Sequence, residues 1–415
     1  MPSQARTPLL QRLIDIRRDI HRNPELGFEE VRTTEIITGA LKQLDIDFRT
    51  PPGGTGVIAD IAGPPGVPIV ALRADIDALP LVEETGLEFA SQTRGKMHAC
   101  GHDGHTAMLI GAATLLKQEK SLPAPVRLIF QPAEELGEGA PYMIDHGALK
   151  DVGVIFGGHI DRHFRTGVIA VTDGIVNASA DCFEIFITGK GGHAARPHEA
   201  VDAVVVGSLM VIALQTIVSR EVNPAHPSVI TVGLFQAGTA SNVIAAECRL
   251  SGTIRAQDES VRNLLKSKVA HVAETIAQLH GASVTVRFLQ ELPVLSNTPE
   301  VVTIARQAAA SVVGDEQVQA MKIANMGGED FSFYLQKVPG CYVRFGAQID
   351  GKAYPAHSSS FVFDEDCLLI GARYFFEATK HAGALLTTNQ LTARMDPRLT
   401  DGVHPLKTGG EAGND

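Results

Sequence analysis

Short, nearly continuous apolar runs alternate with helical stripes along this chain, and the alternation is interrupted once. Leu9 to Ile20 carries a helical stripe that stops before Pro24, and a second helix is expected from Thr33 to Leu44. Gly56–Ile61 and Pro68–Arg73 read as strands, Gly104–Lys117 as a helix, Val126–Gln131 as a strand, Ala140–Leu149 as a helix and Val152–Gly157 as a strand. The run PIVALRA is apolar at nearly every position, as in a sheet covered on both faces. This order predicts a layered α/β domain on a mostly parallel sheet. Near residue 180 the texture changes to strand, helix, strand, strand, helix, strand: Cys182–Thr188, Ala200–Val218, Ser228–Gly233, Glu247–Ile254, Ser260–Leu279 and Ala282–Leu289. That is the βαββαβ order of a ferredoxin-like unit. From Pro299 the α/β texture resumes with helix Thr303–Val313, strand Cys341–Gly346 and helix Asp366–Leu386. At 415 residues the chain exceeds the usual size of one core. The expected organisation is one α/β domain in two parts, 1–180 and 294–386, an inserted unit at 181–293, and a polar tail at 387–415 with the composition of a disordered segment.

A net charge of −11 argues against general affinity for nucleic acid or anionic membrane. No apolar run reads as long enough to span a bilayer, and the N-terminus lacks the apolar core of a secretory signal. Five cysteines, an odd number and widely spaced, do not form a disulfide framework, so a cytoplasmic protein is expected.

The chemistry concentrates in Met97–His105, MHACGHDGH. Three imidazoles, a thiol and a carboxylate crowd a stretch that holds two glycines. Cys and His bind borderline transition metals. A polar turn calls for Gly and Asp, not for three His and a Cys. Cys100 and His102 are two apart, which on an extended segment points both the same way. Glu134-Glu135 follows the strand VRLIF, at the carboxyl end where open α/β sheets place their sites. One carboxylate can bind metal while its neighbour acts as a base; taken alone, the pair reads equally as a solvated acidic turn. His159 follows the apolar strand VGVIF, and His357 belongs to the last third of the chain. His98, His146 and His163 lack that context and read as structural. Asp75 continues a buried strand with Asp77; it either orients a ligand His or pairs with Arg73. In the inserted unit, Gly189–Gly192 presents His193, and Asn242 and Arg255 end apolar stretches, where they could bind a carboxylate or amide. Glu329-Asp330 reads as an acid pair at a helix N-terminus.

The ordered set RADIDALP, HACGHDGHT, QPAEE, GGH, GKGGHAARPH, NVIAAECRLSGTIRA, GGEDFSFY and AHSSSF resembles the dinuclear metallopeptidase superfamily. It looks like the branch of hippurate hydrolases, auxin-conjugate hydrolases and other N-acyl-amino-acid amidohydrolases. The resemblance runs from HRNPELGFEE to about residue 380. It implies a catalytic α/β domain with an inserted lid, or dimerisation, domain, and a homodimer formed through it. It implies hydrolysis of a small N-acyl amino acid or related amide with two divalent ions, Mn²⁺, Zn²⁺ or Co²⁺. Carried over, Cys100, His102, Glu135, His159 and His357 match the metal ligands and Glu134 the general base. Cys100 as thiolate can bridge the ions. His193 matches a lid His that can reach the partner's active site and there stabilise the tetrahedral oxyanion; Asp75 would orient a ligand His. The family usually has Leu at 158, Pro at 245 and LHS-P around His357, so the departures at Gly158, Ala245 and AHSSS touch the substrate pocket. Two other readings follow from them: a hydrolase of another C–N bond, or a non-catalytic binding protein on the same scaffold. All six ligand and base positions being kept speaks against the second.

Overall fold

The computed structural model describes residues 7–349 and 354–388. The expected tail beyond residue 388 lies outside the described residues. Two sheets organise the chain. The larger has eight strands in the order Asp47–Arg49, Val57–Ile61, Val126–Gln131, Ile69–Asp75, Val152–Arg165, Gly340–Gln348, Ile169–Ala170 and Val318–Gln319. Its four central strands are mutually parallel, and antiparallel pairs occur only towards the edges.

Both faces of this sheet are covered, as its apolar strands require. Helices Pro8–Arg22, His102–Gln118, Pro299–Val313 and Cys367–Thr387 contribute Leu13, Met108, Ile304 and Phe375 to one core. On the other face Met143, Phe331 and Tyr334 pack on Ile129, Ile155 and Tyr342. Pro8–Arg22 begins where Thr7 Oγ1 accepts the Leu10 N–H and proline occupies the first turn. Helix His102–Gln118 is buried along almost its whole length, so it can place its first residue in the interior.

The second sheet is wholly antiparallel, in the order Ser228–Ala237, Glu247–Ala256, Ser179–Thr188 and Ser283–Leu292. Helices Ala203–Thr216 and Glu259–Leu279, capped by Asp202 and Asp258, cover one face. The elements occur in the expected βαββαβ order, and the unit has its own core around Phe183, Met210, Leu250 and Leu265. The apolar helix differs from expectation in one respect. With its continuation, Ala203–Glu221 is long and apolar enough to cross a membrane by length and composition alone. It buries Val206, Met210 and Leu214 against the small sheet, and leaves Val205, Leu209 and Ile212 exposed.

Candidate metal centre

Gly101 has φ +101°, a conformation that favours glycine, and it forms the turn into helix His102–Gln118. Cys100 and His102 are therefore not neighbours on an extended segment, as the spacing suggested. Cys100 lies before the turn and His102 is the first helical residue, yet their ligand atoms and His159 Nε2 all fall within 4.8 Å of one another. Cys100 Sγ is 3.3 Å from His159 Nε2. The Sγ also belongs to a second triad, with Glu135 and His357. His357 Nε2 lies 3.3 Å from Glu135 Oε1, and the His357 N–H donates to the Ala99 carbonyl at 2.8 Å. All five residues read from the sequence as ligands are thus brought together, with Cys100 common to both triads.

His159 does not sit at a strand end. Its strand continues to Arg165 because Gly340–Gln348 pairs alongside it, with Arg344 opposite His159. A Cβ at Gly158 would lie 2.6 Å from the Phe345 ring, so the aromatic side chain fills the space that a larger residue at 158 would need.

The hydrogen bonds fix the imidazole tautomers. His102 Nδ1 faces the Asp77 carbonyl at 3.0 Å and Asp77 Oδ1 at 3.1 Å, both acceptors, so Nδ1 carries the proton. His102 Nε2, the nitrogen left to ligate, lies 3.9 Å from Glu134 Oε2 and from Glu135 Oε1. Against the cost of burial, Asp75 and Cys100 raise this imidazole well above its ordinary range, so without a cation it carries a second proton that metal binding would displace. His159 Nδ1 donates to the Ile160 carbonyl at 2.7 Å, and its Nε2 faces Cys100. Burial, with His105 and Arg344 nearby, holds His159 well below the usual imidazole range, in the neutral form that ligates metals. His102 Nε2 and Glu135 Oε1 are buried and close no hydrogen bond among the described residues, although His357 Nε2 stands 3.3 Å from the carboxylate oxygen. Two buried polar atoms that close no hydrogen bond with each other, beside a thiol, fit a bound cation. Burial and Glu135 push the Cys100 thiol up to about 12, so only a bound cation makes it a thiolate near neutrality.

Behind the ligands runs a buried charge network. Arg73 donates to Asp75 at 2.5 Å and Asp330 at 2.7 Å, and reaches Glu329 at 3.2 Å. Asp330 also accepts from Gln131 and from the Ala140 N–H. Glu329 accepts from the Tyr342 hydroxyl at 2.5 Å and shares an acid cluster with Glu134. The two acids do more than begin helix Phe331–Leu335: Glu329 also lines the cavity, and Asp330 ties strands Ile69–Asp75 and Val126–Gln131 to helix Gly139–Asp145. Burial, Glu329 and Glu135 raise the Glu134 carboxyl well above its ordinary range. Ala133, just before it, has φ +53°, and its N–H is held at 2.9 Å by buried Glu30.

Asp75 requires a correction. Its nearest imidazole is His105, at 2.6 Å, whose Nε2 in turn accepts the Ile160 N–H at 2.8 Å. His105 is fully satisfied, and the carboxylate on the His102 Nδ1 is Asp77, whose other oxygen accepts the Glu135 N–H at 3.0 Å. Asp75 does approach the Nε2 of His102, at 3.8 Å. Arg255 lines the 440 Å³ cavity that Cys100, Glu135, His159 and His357 also line. His193 and Asn242 do not; they line a separate cavity built only of residues of the small-sheet unit. His146 bonds the Tyr142 carbonyl, and His163 pairs with Asp161 at the cavity wall. His98 is buried with neither ring nitrogen partnered, and burial lowers it to about 4. Sequence reasoning missed the parts of Glu30, His105 and Arg344. Each acts through a contact distant in the chain, for which no local pattern is a signal.

The model of peptidase family M20/M25/M40 matches residues 71–381. An N-acetyl-L-cysteine deacetylase of Bacillus subtilis (strain 168) is 40% identical over 384 residues, covering 92% of this chain and 90% of its own. The IAA-amino acid hydrolase ILR1-like 4 of Arabidopsis thaliana is 38% identical over 367 residues, 87% of this chain and 83% of its own. Among solved structures, a putative aminohydrolase from methicillin-resistant Staphylococcus aureus superposes with a TM-score of 0.83 at 34% identity, covering 92% and 97% of the two chains. The Bacillus subtilis YXEP protein, described as a dinuclear metal binding peptidase from the M20 family, gives 0.78 at 37% identity over 89% and 97%.

Proposed function

The chain belongs to peptidase family M20/M25/M40, and from that premise we propose roles for its site residues, a substrate class and an assembly. It is a metal-dependent hydrolase of amide bonds. Its proposed substrates are small N-acyl amino acids, in keeping with the deacetylase and conjugate-hydrolase names of its relatives. The observation that carries the reading is the convergence on Cys100 of His102 and His159 on one side and of Glu135 and His357 on the other.

Cys100, His102, Glu135, His159 and His357 are proposed to hold two divalent ions. Five residues are few for two ions unless a ligand or a water is shared, and Cys100, which belongs to both triads, could be that shared ligand. The thiolate, imidazole and carboxylate set suits Mn²⁺, Co²⁺ or Zn²⁺ better than Ca²⁺ or Mg²⁺. When bound, such ions supply Lewis acidity to the scissile carbonyl and acidify water enough for attack near neutral pH. Glu134, the one carboxylate of the pair not used as a ligand, accepts the proton of the attacking water and delivers it to the departing nitrogen. Asp77 keeps His102 in its ligating tautomer and holds the Glu135 backbone. Arg255 takes the substrate carboxylate from the small-sheet side of the cavity.

Residues 181–293 are read as a lid and dimerisation domain inserted into a catalytic domain formed by 1–180 and 294–386. Supporting this, His193 and Asn242 stand outside the metal cavity of their own chain, and Val205, Leu209 and Ile212 expose an apolar helix face nearby in sequence. In a homodimer through these faces, His193 serves the partner's site, donating to the developing oxyanion. The five unpaired cysteines suit a reducing compartment such as the cytoplasm. The test is dialysis against a chelator followed by assay on a panel of N-acetyl amino acids. Activity is expected to vanish and to return with Mn²⁺, Co²⁺ or Zn²⁺; full activity in rigorously metal-free protein would overturn the reading.

A further inference from the structure

Five arginines are buried among the described residues: Arg17, Arg73, Arg127, Arg262 and Arg344. The first four each reach at least one carboxylate within 3.3 Å. Arg344 reaches none among the described residues. Its only hydrogen bond runs from Nη2 to Asn177 Oδ1 at 2.5 Å, and its Nε is buried with no partner. A buried guanidinium without a counter-charge is costly, and a site that keeps one is built for an anion. Arg344 is 5% exposed and lines the metal cavity, on the strand beside His159 and opposite it in register. Adjacent strands lie about 4.8 Å apart, so an anion on Arg344 sits next to the metal centre.

Arg344 is not alone. Arg255 and Arg162 line the same cavity without a carboxylate partner among the described residues, and there the Nε of Arg162 is also buried and unbonded. Beside Glu134 and Glu135 of the proposed metal centre, the acids of the cavity wall are already engaged: Asp161 with His163, Asp181 with Arg262, and Glu329 with Arg73 and Tyr342. Arg255 and Arg344 come from different sheets and are aimed by different hydrogen bonds. Arg255 donates to the Met326 carbonyl at 3.3 Å, whereas Asn177, which holds Arg344, donates to the Gly327 carbonyl at 3.1 Å. A single carboxylate on Arg255 would leave the Arg344 guanidinium uncompensated.

Resting on the amidohydrolase reading above, we propose that Arg344 binds a second carboxylate of the substrate, so that the preferred substrates are N-acyl amino acids bearing two carboxylates. The second group can come from the amino-acid side chain or from a dicarboxylic acyl group, and the chemistry at Arg344 is the same. The experiment compares N-acetyl-glutamate with N-acetyl-glutamine, and N-succinyl-methionine with its neutral succinamide analogue. Both kcat/KM and calorimetric affinity are measured on the metal-loaded enzyme, for wild type, Arg344→Met and Arg344→Lys. Wild type is expected to favour the carboxylate over its amide by about 10- to 100-fold in one of the two series, which identifies the source of the group. In Arg344→Met the preference falls towards unity, and Arg344→Lys, which keeps the charge, retains part of it. Melting temperatures of both variants guard against misfolding. Equal affinity of wild type for acid and amide in both series overturns the proposal, as does an unchanged preference in Arg344→Met. Selective binding without turnover would instead count against the amide-hydrolysis reading and leave the two-carboxylate site supported.

Discussion

Asp77 Oδ1 lies 3.1 Å from His102 Nδ1, while the other oxygen of the same carboxylate accepts the Glu135 N–H at 3.0 Å. One buried side chain thereby orients two proposed ligands from two different elements. Asp77→Ala is expected to lower metal affinity about 10- to 100-fold, read by calorimetric titration of the metal-free protein. Affinity within twofold of wild type would show that His102 and Glu135 hold their positions without it.

Glu30 gives the fold a pH dependence. Burial, and then the charge of Asp77, raise its carboxyl from 4.5 to about 8. The folded state therefore holds a proton that the unfolded chain releases. The stability tied to this group is fully present below pH 4.5 and is lost as pH rises towards 8. Glu30→Gln is neutral throughout and should show a shallower decline of melting temperature between pH 5 and pH 8, at constant metal content. Parallel curves for wild type and variant would contradict the assignment.

Gly158 is tied to Phe345 by space. Placing leucine there puts its Cβ 2.6 Å from the ring, and overpacking of this kind costs about 1–3 kcal/mol. Gly158→Leu should lower the melting temperature, and Gly158→Leu with Phe345→Ala should recover part of the loss. An unchanged melting temperature in the single variant would mean that the ring moves aside freely.

The separation of His193 from the metal cavity leads to a complementation test. In the proposed homodimer, mixing His193→Ala with Glu134→Gln protomers would create heterodimers with one intact composite site. Partial activity is expected after subunit exchange. Exchange without recovery, or a monomer at assay concentration, would show that His193 does not serve a partner.

Much of this arrangement is legible in the residues themselves. Periodicity marks the apolar strands and the βαββαβ order because burial imposes it directly. Cys100 and His102 carry chemistry that few other roles require, whereas Glu135 by itself reads equally as part of a solvated turn. What local pattern cannot convey is pairing across the chain. His159 reads as a strand end because its own segment turns polar, but Gly340–Gln348, nearly two hundred residues on, extends the pairing past it. Asp75 and Asp77 are equivalent by spacing, and only the approach of helix His102–Gln118 decides that Asp77 meets the Nδ1 of His102 and Asp75 meets His105. Glu329 and Asp330 look like helix-capping acids until Arg73 and Gln131 arrive from other strands.

The central claim is a division of labour between adjacent carboxylates, Glu135 as ligand and Glu134 as base. The most direct measurement is metal content by mass spectrometry together with turnover, for Glu134→Gln and Glu135→Gln. Glu134→Gln is predicted to retain wild-type metal, two ions per chain, while losing on the order of 10²-fold or more in kcat. Glu135→Gln is predicted to lose metal and to lose activity in step with it. Metal loss in Glu134→Gln that accounts for its inactivity, with Glu135→Gln fully loaded, would contradict the account.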